Sequence, residues 1–395
     1  MTLRPTHAVV DLDALARNYR TLAARLPAGV GVLPVVKADA YGHGARPVAR
    51  RLVEEGAPML AVAVVEEGME LRGAAVAVPV LVMGWIGPEQ LDALVIHGLT
   101  PNAHSPEQLR ELVDFAEARD VELKVHLKLD TGMTRLGMLP DQLGDAMELL
   151  KSAGKRIFLE GVFQNFASAD DLTSPQTAGQ ARTFAEMLAA IRAAGYAPTM
   201  IHTDNSAATL SGFDPSFSSS SKYDLFGISH VRPGLALYAR VPGLPLAEEI
   251  SDVMSFVSVV DQVKRVAAGT RVGYGGTFVC RRETAVAVVP AGYADGVPRS
   301  LSGQGHVLVH GRRCPIAGRI SMDLTTVDVT DLPEPPLRGD PVVFFGTQAG
   351  SRLGVEEAAE AGGTVPWELL CGVGPRVPRI IVRAGVPVET HSKFL

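Results

Sequence analysis

From about residue 31 to residue 238 the chain alternates short apolar runs with longer amphipathic stretches. The apolar runs cover residues 31–36, 59–64, 79–83, 121–129, 157–163 and 199–202, with a last one ending at Tyr238. Several are nearly continuous and β-branched, as strands buried on both faces are. Between them lie helical patterns at 105–119, 140–152 and 175–195. The last begins with Ser174-Pro175, a cap followed by a first-turn proline, and stops at Gly195. Such alternation implies parallel strands joined by right-handed crossovers. About eight units in roughly 240 residues suit a (β/α)8 TIM-type barrel better than an open sheet. No complete G-x-G-x-x-G favours a dinucleotide fold, since Gly303-Gln304-Gly305 lacks its third glycine.

After about Pro245 the texture changes to short β-rich runs at 253–266, 284–289, 306–309, 325–329 and 341–345, separated by turn clusters. The expected organisation is a barrel over residues 1–245 and a mostly β domain over 246–395. A serine-rich patch at 216–221 falls in the loop before the last barrel strand. The net charge of −6 arises from 37 basic and 43 acidic residues with no basic block, so neither a nucleic-acid nor an anionic-membrane footprint is present. Cys280, Cys314 and Cys371 are scattered without metal-type spacing, which suits a reduced compartment and predicts no metal. No run is long enough for a signal-peptide core or a membrane span, so the expectation is a soluble, cytoplasmic protein.

Seven segments carry candidate chemistry. Lys37, in Val36-Lys37-Ala38-Asp39-Ala40-Tyr41-Gly42-His43-Gly44, leaves the C-terminal end of the first buried strand, where barrel enzymes place catalytic groups. Read alone, it is more readily a solvated lysine at a strand end. Lys128 and Arg135 share the segment His126-Leu127-Lys128-Leu129-Asp130-Thr131-Gly132-Met133-Thr134-Arg135. Lys128 there either pairs with Asp130, faces solvent or does chemistry. Ser206, in His202-Thr203-Asp204-Asn205-Ser206, stands where a helix begins, as a phosphate donor or as an ordinary N-cap. Arg232 leads Arg232-Pro233-Gly234-Leu235 and has a structural salt bridge as its plain alternative. Tyr274 lies among glycines in Gly273-Tyr274-Gly275-Gly276, a setting that allows close approach and also suits a turn. Tyr293, in Gly292-Tyr293-Ala294-Asp295-Gly296, and Met322, in Arg319-Ile320-Ser321-Met322-Asp323, fit turn chemistry alone.

Taken together these segments resemble the alanine racemase family, fold-type III amino-acid racemases dependent on pyridoxal phosphate, over nearly the full chain. The resemblance implies that Lys37 carries the cofactor, an electron sink for the Cα carbanion. It also implies phosphate contacts from Tyr41, Ser206 and the Gly234 and Leu235 amides. Arg135 would meet the phenolic oxygen and the substrate carboxylate, oriented by Lys128 when that lysine is carbamylated. Arg232 would face the ring nitrogen; it cannot readily give up a proton, so the sink stays weak and racemisation wins over transamination. Tyr274 would reach the partner's active site in a homodimer and act with Lys37 as a second base. Each well-placed acid/base group contributes about 10² to 10⁴ in rate. Tyr293 and the Met322 amide would bind substrate.

Two positions depart from the family pattern. Asn165 stands where a histidine bonding the arginine at 232 is usual, and it can still accept from that arginine at shorter reach. Trp367 stands where a tyrosine hydroxyl reaches the phosphate region. The loop 211–230 is also longer than usual. The implied reaction is L-alanine to D-alanine, supplying peptidoglycan precursors. Racemisation of serine or another amino acid is the alternative within the class. A non-catalytic pyridoxal-phosphate-binding barrel is the alternative outside it, and the large β domain speaks against that reading. A fold-III decarboxylase is disfavoured by Arg232.

Overall fold

Eight parallel strands follow one another around a ring. They are β2 (Gly31–Val32), β3 (Leu60–Val62), β4 (Val80–Val82), β5 (Leu99–Ala103), β6 (Leu123–Lys128), β7 (Ile157–Phe163), β8 (Met200–His202) and β9 (His230–Val231). In this computed structural model β2 pairs with β9 on one side, and its continuation closes onto β3 through a parallel bridge between Val35 and Ala61. The closure is bonded both ways: Val36 N–H donates to the Ala61 carbonyl at 2.8 Å and Ala61 N–H to that of Pro34 at 2.9 Å. The (β/α)8 expectation therefore holds. Residues 4–211 and 226–392 are described; the 216–221 patch and most of the 211–230 loop lie outside them.

The helices at Pro106–Arg119 and Pro175–Ala193 begin as the sequence requires, with Ser105 and Ser174 accepting from the amides of Gln108 and Gln176 and a proline in the first turn. Two readings of the pattern need correction. The run ending at Tyr238 is a strand only at His230–Val231; Pro233 cannot continue the ladder, and Leu235–Tyr238 is a helical turn. The strand β5 carries Pro101 and Asn102, which break an apolar run, yet all five residues are buried. The Asn102 amide is satisfied by the Val82 and Gly84 carbonyls.

The C-terminal part is mostly β, with Met254–Val259, His306–Val309, Arg312–Pro315, Pro341–Gln348, Arg379–Arg383 and Val386–His391 in one sheet. The run 253–266 divides, because Gln262–Val266 joins a separate sheet with Thr284–Val289 and Thr325–Asp328. The expected boundary near 245 misplaces one segment. Strand β1 (His7–Asp11) pairs antiparallel with Met254–Val259 and parallel with Arg379–Arg383, so the chain starts in the C-terminal sheet before entering the barrel through helix α1 (Leu12–Ala24). Asp11 makes that junction, capping α1 with its side chain on the Asp13 and Ala14 amides.

Candidate active site

Lys37 follows directly on the segment that closes the barrel, at the carboxyl ends of the strands. It opens helix α2 (Lys37–Gly42), whose residues 38–41 have φ between 52° and 54°. Four consecutive non-glycine residues are thus left-handed. That conformation costs on the order of 1–2 kcal/mol per residue, because Cβ crowds the carbonyl that follows it. Contacts from three directions hold it. Ala38 N–H donates to Glu67 Oε1 at 2.5 Å. Asp39 Oδ1 accepts from Ala45 N at 2.6 Å, at the start of α3 (Ala45–Glu54). Arg379 Nε donates to the Gly42 carbonyl at 3.0 Å, and a side chain at Gly42 would run into the Leu370 carbonyl oxygen.

The cationic side chains of Lys37, Lys128, Arg135 and Arg232 converge. Burial pushes the Lys37 amine down, the Arg135 charge lowers it further, and Glu67 and Cys371 oppose them. Lys128 is buried and held down at about 8 by burial, then by Arg135, Arg232 and Lys37. It is shielded from solvent and makes no ion pair among the described residues: Asp130 Oδ1 instead accepts the Gly132, Met133 and Thr134 amides. Arg135 is exposed and has no hydrogen bond or ion pair among the described residues. A group of cations with so little neutralising charge is built for an anion.

Arg232 is buried on the last barrel strand's extension. Its terminal nitrogens are fully committed. Nη1 donates to His202 Nδ1 at 3.0 Å and the His202 carbonyl at 2.6 Å; Nη2 donates to the Gln164 and Thr203 carbonyls at 2.5 and 3.2 Å. That leaves Nε–H as the guanidinium donor without an acceptor among the described residues. The Asp204 charge favours the cation against burial. Burial lowers the group to about 10, still cationic at neutral pH.

Behind Arg232 runs a chain of polar groups that the sequence reading missed. His202 Nε2 meets His126 Nδ1 at 2.8 Å, His126 Nε2 meets Glu160 Oε2 at 3.3 Å, and Glu160 Oε1 accepts from Lys124 Nζ at 2.6 Å. Since Arg232 can only donate, His202 carries its proton on Nε2 and His126 likewise. Burial keeps both rings neutral, and His126, with Lys124, holds the Glu160 carboxyl at about 2. The sequence signal was available: polar histidines inside otherwise apolar strands.

Ser206 is not the cap of its helix, Ser206–Leu210. Asn205 takes that role on the Ala208 amide, which frees Ser206 Oγ to accept from Gly234 N at 2.9 Å and Ala236 N at 3.1 Å. Tyr41 comes so close to Gly234 that any side chain there would strike its hydroxyl. Leu235 occupies the first helical position, where an N–H has no carbonyl of its own helix to bond. Tyr41, Ser206, Gly234 and Leu235 therefore form one donor-rich corner.

Asn165 departs from expectation. Its amide donates to Met133 Sδ at 3.2 Å and the Phe166 carbonyl at 3.0 Å, and it makes no hydrogen bond to Arg232, whose acceptors are already supplied. Trp367 is half exposed on the helix Pro366–Gly372, four residues before Cys371, whose thiol interacts electrostatically with Lys37. Tyr274, Tyr293 and Met322 lie in the C-terminal part, exposed by 70%, 43% and 53%, too open for residues that merely pack. Tyr293 and Met322 sit on abutting turns: Tyr293 N–H donates to the Ser321 carbonyl and Ala294 N–H to that of Met322. Arg376 locks the two turns together by bonding Asp295 and Asp323 at 2.6 Å each.

Comparison with known proteins bears on this arrangement. The family described as "Alanine racemase, N-terminal domain" matches residues 10–242, and "Alanine racemase, C-terminal domain" matches residues 253–381. An alanine racemase of Halothermothrix orenii is 38% identical over 378 residues, 95% of this chain and 96% of that protein. The crystal structure of alanine racemase from Bacillus anthracis with bound L-Ala-P is 32% identical, covers 100% of this chain and 99% of its own, and has a TM-score of 0.89. That of alanine racemase from Bartonella henselae with covalently bound pyridoxal phosphate is 28% identical, covering 96% and 99%, with a TM-score of 0.83.

Proposed function

The chain belongs to the alanine racemase family, and from that premise we propose that it interconverts L- and D-alanine with pyridoxal phosphate held on Lys37. The observation that carries this reading is the convergence of Lys37, Arg135 and Arg232 at the barrel's carboxyl ends beside the corner formed by Tyr41, Ser206, Gly234 and Leu235. The residues present fit the cofactor. The cationic cluster suits its anionic oxygens, and Tyr41, Ser206 and the Gly234 and Leu235 amides suit its phosphate. Arg232 Nε–H is the donor free to meet a ring nitrogen. Trp367 offers indole bulk at the phosphate side, and Asn165 gives its amide to Met133 and Phe166 and makes no hydrogen bond to Arg232.

When bound, the cofactor supplies an electron sink that acidifies the substrate's Cα proton. Lys37, desolvated and beside Arg135, has an amine able to accept that proton on one face and return it. Tyr274 of the partner subunit serves the other face, taking the proton from the L-substrate. Its exposure in the single chain supports this, since a phenol that is 70% open on a glycine-rich turn has room to enter a neighbouring site. Arg135 and the Met322 amide orient the substrate carboxylate, and Tyr293 narrows the approach. Lys128, buried and held near 8, is partly neutral at physiological pH and so can take up carbon dioxide as a carbamate facing Arg135. Arg232 donates and never yields its proton, which restricts the chemistry to racemisation.

The assembly proposed is a cytoplasmic homodimer with composite sites, working toward peptidoglycan precursors. No helix among the described residues is long and apolar enough to cross a membrane. The test is to incubate the purified protein with L-alanine, L-serine and L-lysine and to assay chirally for D-products. D-alanine should form fastest; D-serine or D-lysine without D-alanine would overturn the substrate assignment.

A further inference from the structure

We infer that Glu67 is the positioning residue of Lys37: its carboxylate ties the left-handed turn that carries the lysine to the end of strand β3. This rests on the reading of Lys37 given above.

Glu67 is the third residue of helix α4 (Val65–Gly73), and a glutamate there commonly reaches back to the amide before its helix. One oxygen does this and more: Oε2 accepts from Ala63 N at 2.7 Å and Val64 N at 3.2 Å. Capping needs no second oxygen. Yet Oε1 leaves its own helix and accepts from Ala38 N at 2.5 Å, the amide next to Lys37. A single carboxylate thus spans two segments far apart in sequence. Its bond falls on the first left-handed residue, where the chain departs from the barrel strand. The turn is costly to form, and its other anchors, Asp39 on Ala45 N and Arg379 on the Gly42 carbonyl, act at or beyond its middle. Among the described residues Glu67 is the only acceptor of the Ala38 amide, while Val36 on the other side of Lys37 is held by the Ala61 carbonyl.

The charge acts as well. Around Lys37, burial, Arg135 and Arg232 favour the neutral amine, while Glu67 and Cys371 favour the cation. Glu67 is the larger of the two opposing influences. It therefore helps place the amine and, against the larger effects of burial and Arg135, raises the pH at which it gains a proton.

Both roles demand a carboxylate of this length. Glutamine keeps the length and loses the charge; one end of its amide must turn an N–H₂ toward a backbone N–H, so one of the two ties breaks. Aspartate keeps the charge and is one carbon short of the span. In the full-length, cofactor-free chain, Lys37 is labelled by an acylating reagent across a pH series and quantified by peptide mass spectrometry. Glu67→Gln should move the labelling midpoint to lower pH, whereas Glu67→Asp should leave it close to the parent's. In the loaded enzyme both variants should lose kcat by about tenfold or more with KM changed little, as misplacement of a reacting group by about 1 Å does. Parent-like labelling in Glu67→Gln overturns the charge role. Parent-like kcat in both variants, or a change confined to KM, overturns the positioning role. Labelling is read without cofactor or substrate, so it judges Glu67 whatever reaction the site performs; a Lys37→Ala enzyme of full activity would instead end the reading of Lys37 itself.

Discussion

The donors of one guanidinium decide much of the chemistry available to this site. Arg232 has its terminal nitrogens fixed by His202 and three carbonyls, so it can neither swing away nor accept a proton. In the proposed cofactor site, replacing it by glutamate would put a group that shares a proton beside the ring nitrogen and strengthen the electron sink. Arg232→Glu is expected to lose racemisation by about 10²-fold or more, as losing an aligned electrostatic partner does, and to release keto acid from L-alanine. Chromatography of the products checks this; an unchanged ratio of D-alanine to keto acid contradicts it. At this scale the sequence was informative where the chemistry is unusual for its place, as with a lysine leaving a buried strand. It was silent about Glu67, which looks like any helix-capping glutamate. For Asn165 it pointed the wrong way, because Arg232 finds its partners in backbone carbonyls that no side-chain pattern reveals.

Among the elements, the buried strands β3, β4, β6 and β7 were legible as apolar runs, while β5 was hidden by Pro101 and Asn102. The left-handed turn at 38–41 could not be read at all, since nothing in Ala-Asp-Ala-Tyr demands a positive φ; the contacts around it do. His43 adds an imidazole to the carboxylates of Glu67 and Asp39. His43 is fully buried, bonds the Ala40 and Tyr41 carbonyls through Nδ1 at 2.9 Å, and has no partner at Nε2 among the described residues. Burial pushes its imidazole down to about 4. A histidine depressed on folding binds its proton more readily in the unfolded chain, so its stabilisation is complete above pH 6.5 and is lost as pH falls from there toward 4. The loss amounts to about 3 kcal/mol across that window. Urea unfolding of the parent and of His43→Gln at pH 7 and pH 4.5 measures it: the parent should lose more stability than the variant, and equal slopes would contradict the assignment.

For the molecule as a whole, local pattern separated a barrel from a β domain but could not show that β1 crosses between them. That crossing is set by pairing with Met254–Val259 and Arg379–Arg383, partners remote in sequence. It has a mechanical consequence. Arg379 sits on a strand that pairs with β1 and bonds the Gly42 carbonyl at the end of the left-handed turn, so the C-terminal sheet braces the turn that carries Lys37 of its own chain. The exposed Tyr274, Tyr293 and Met322 belong to the same part of the chain, which suits a second duty toward a partner's site. In the proposed two-fold dimer each subunit would lend its phenol and borrow another.

That shared site can be tested by complementation. Lys37→Ala and Tyr274→Phe homodimers are purified, shown to be folded and nearly inactive, then mixed under conditions that exchange subunits, with heterodimers confirmed by native mass spectrometry. In each heterodimer one site carries both substitutions and the other carries neither. Random pairing should therefore restore about a quarter of the parent's alanine racemisation. Heterodimers that form and remain as inactive as their parents would contradict a site built from the amine of one subunit and the phenol of the other.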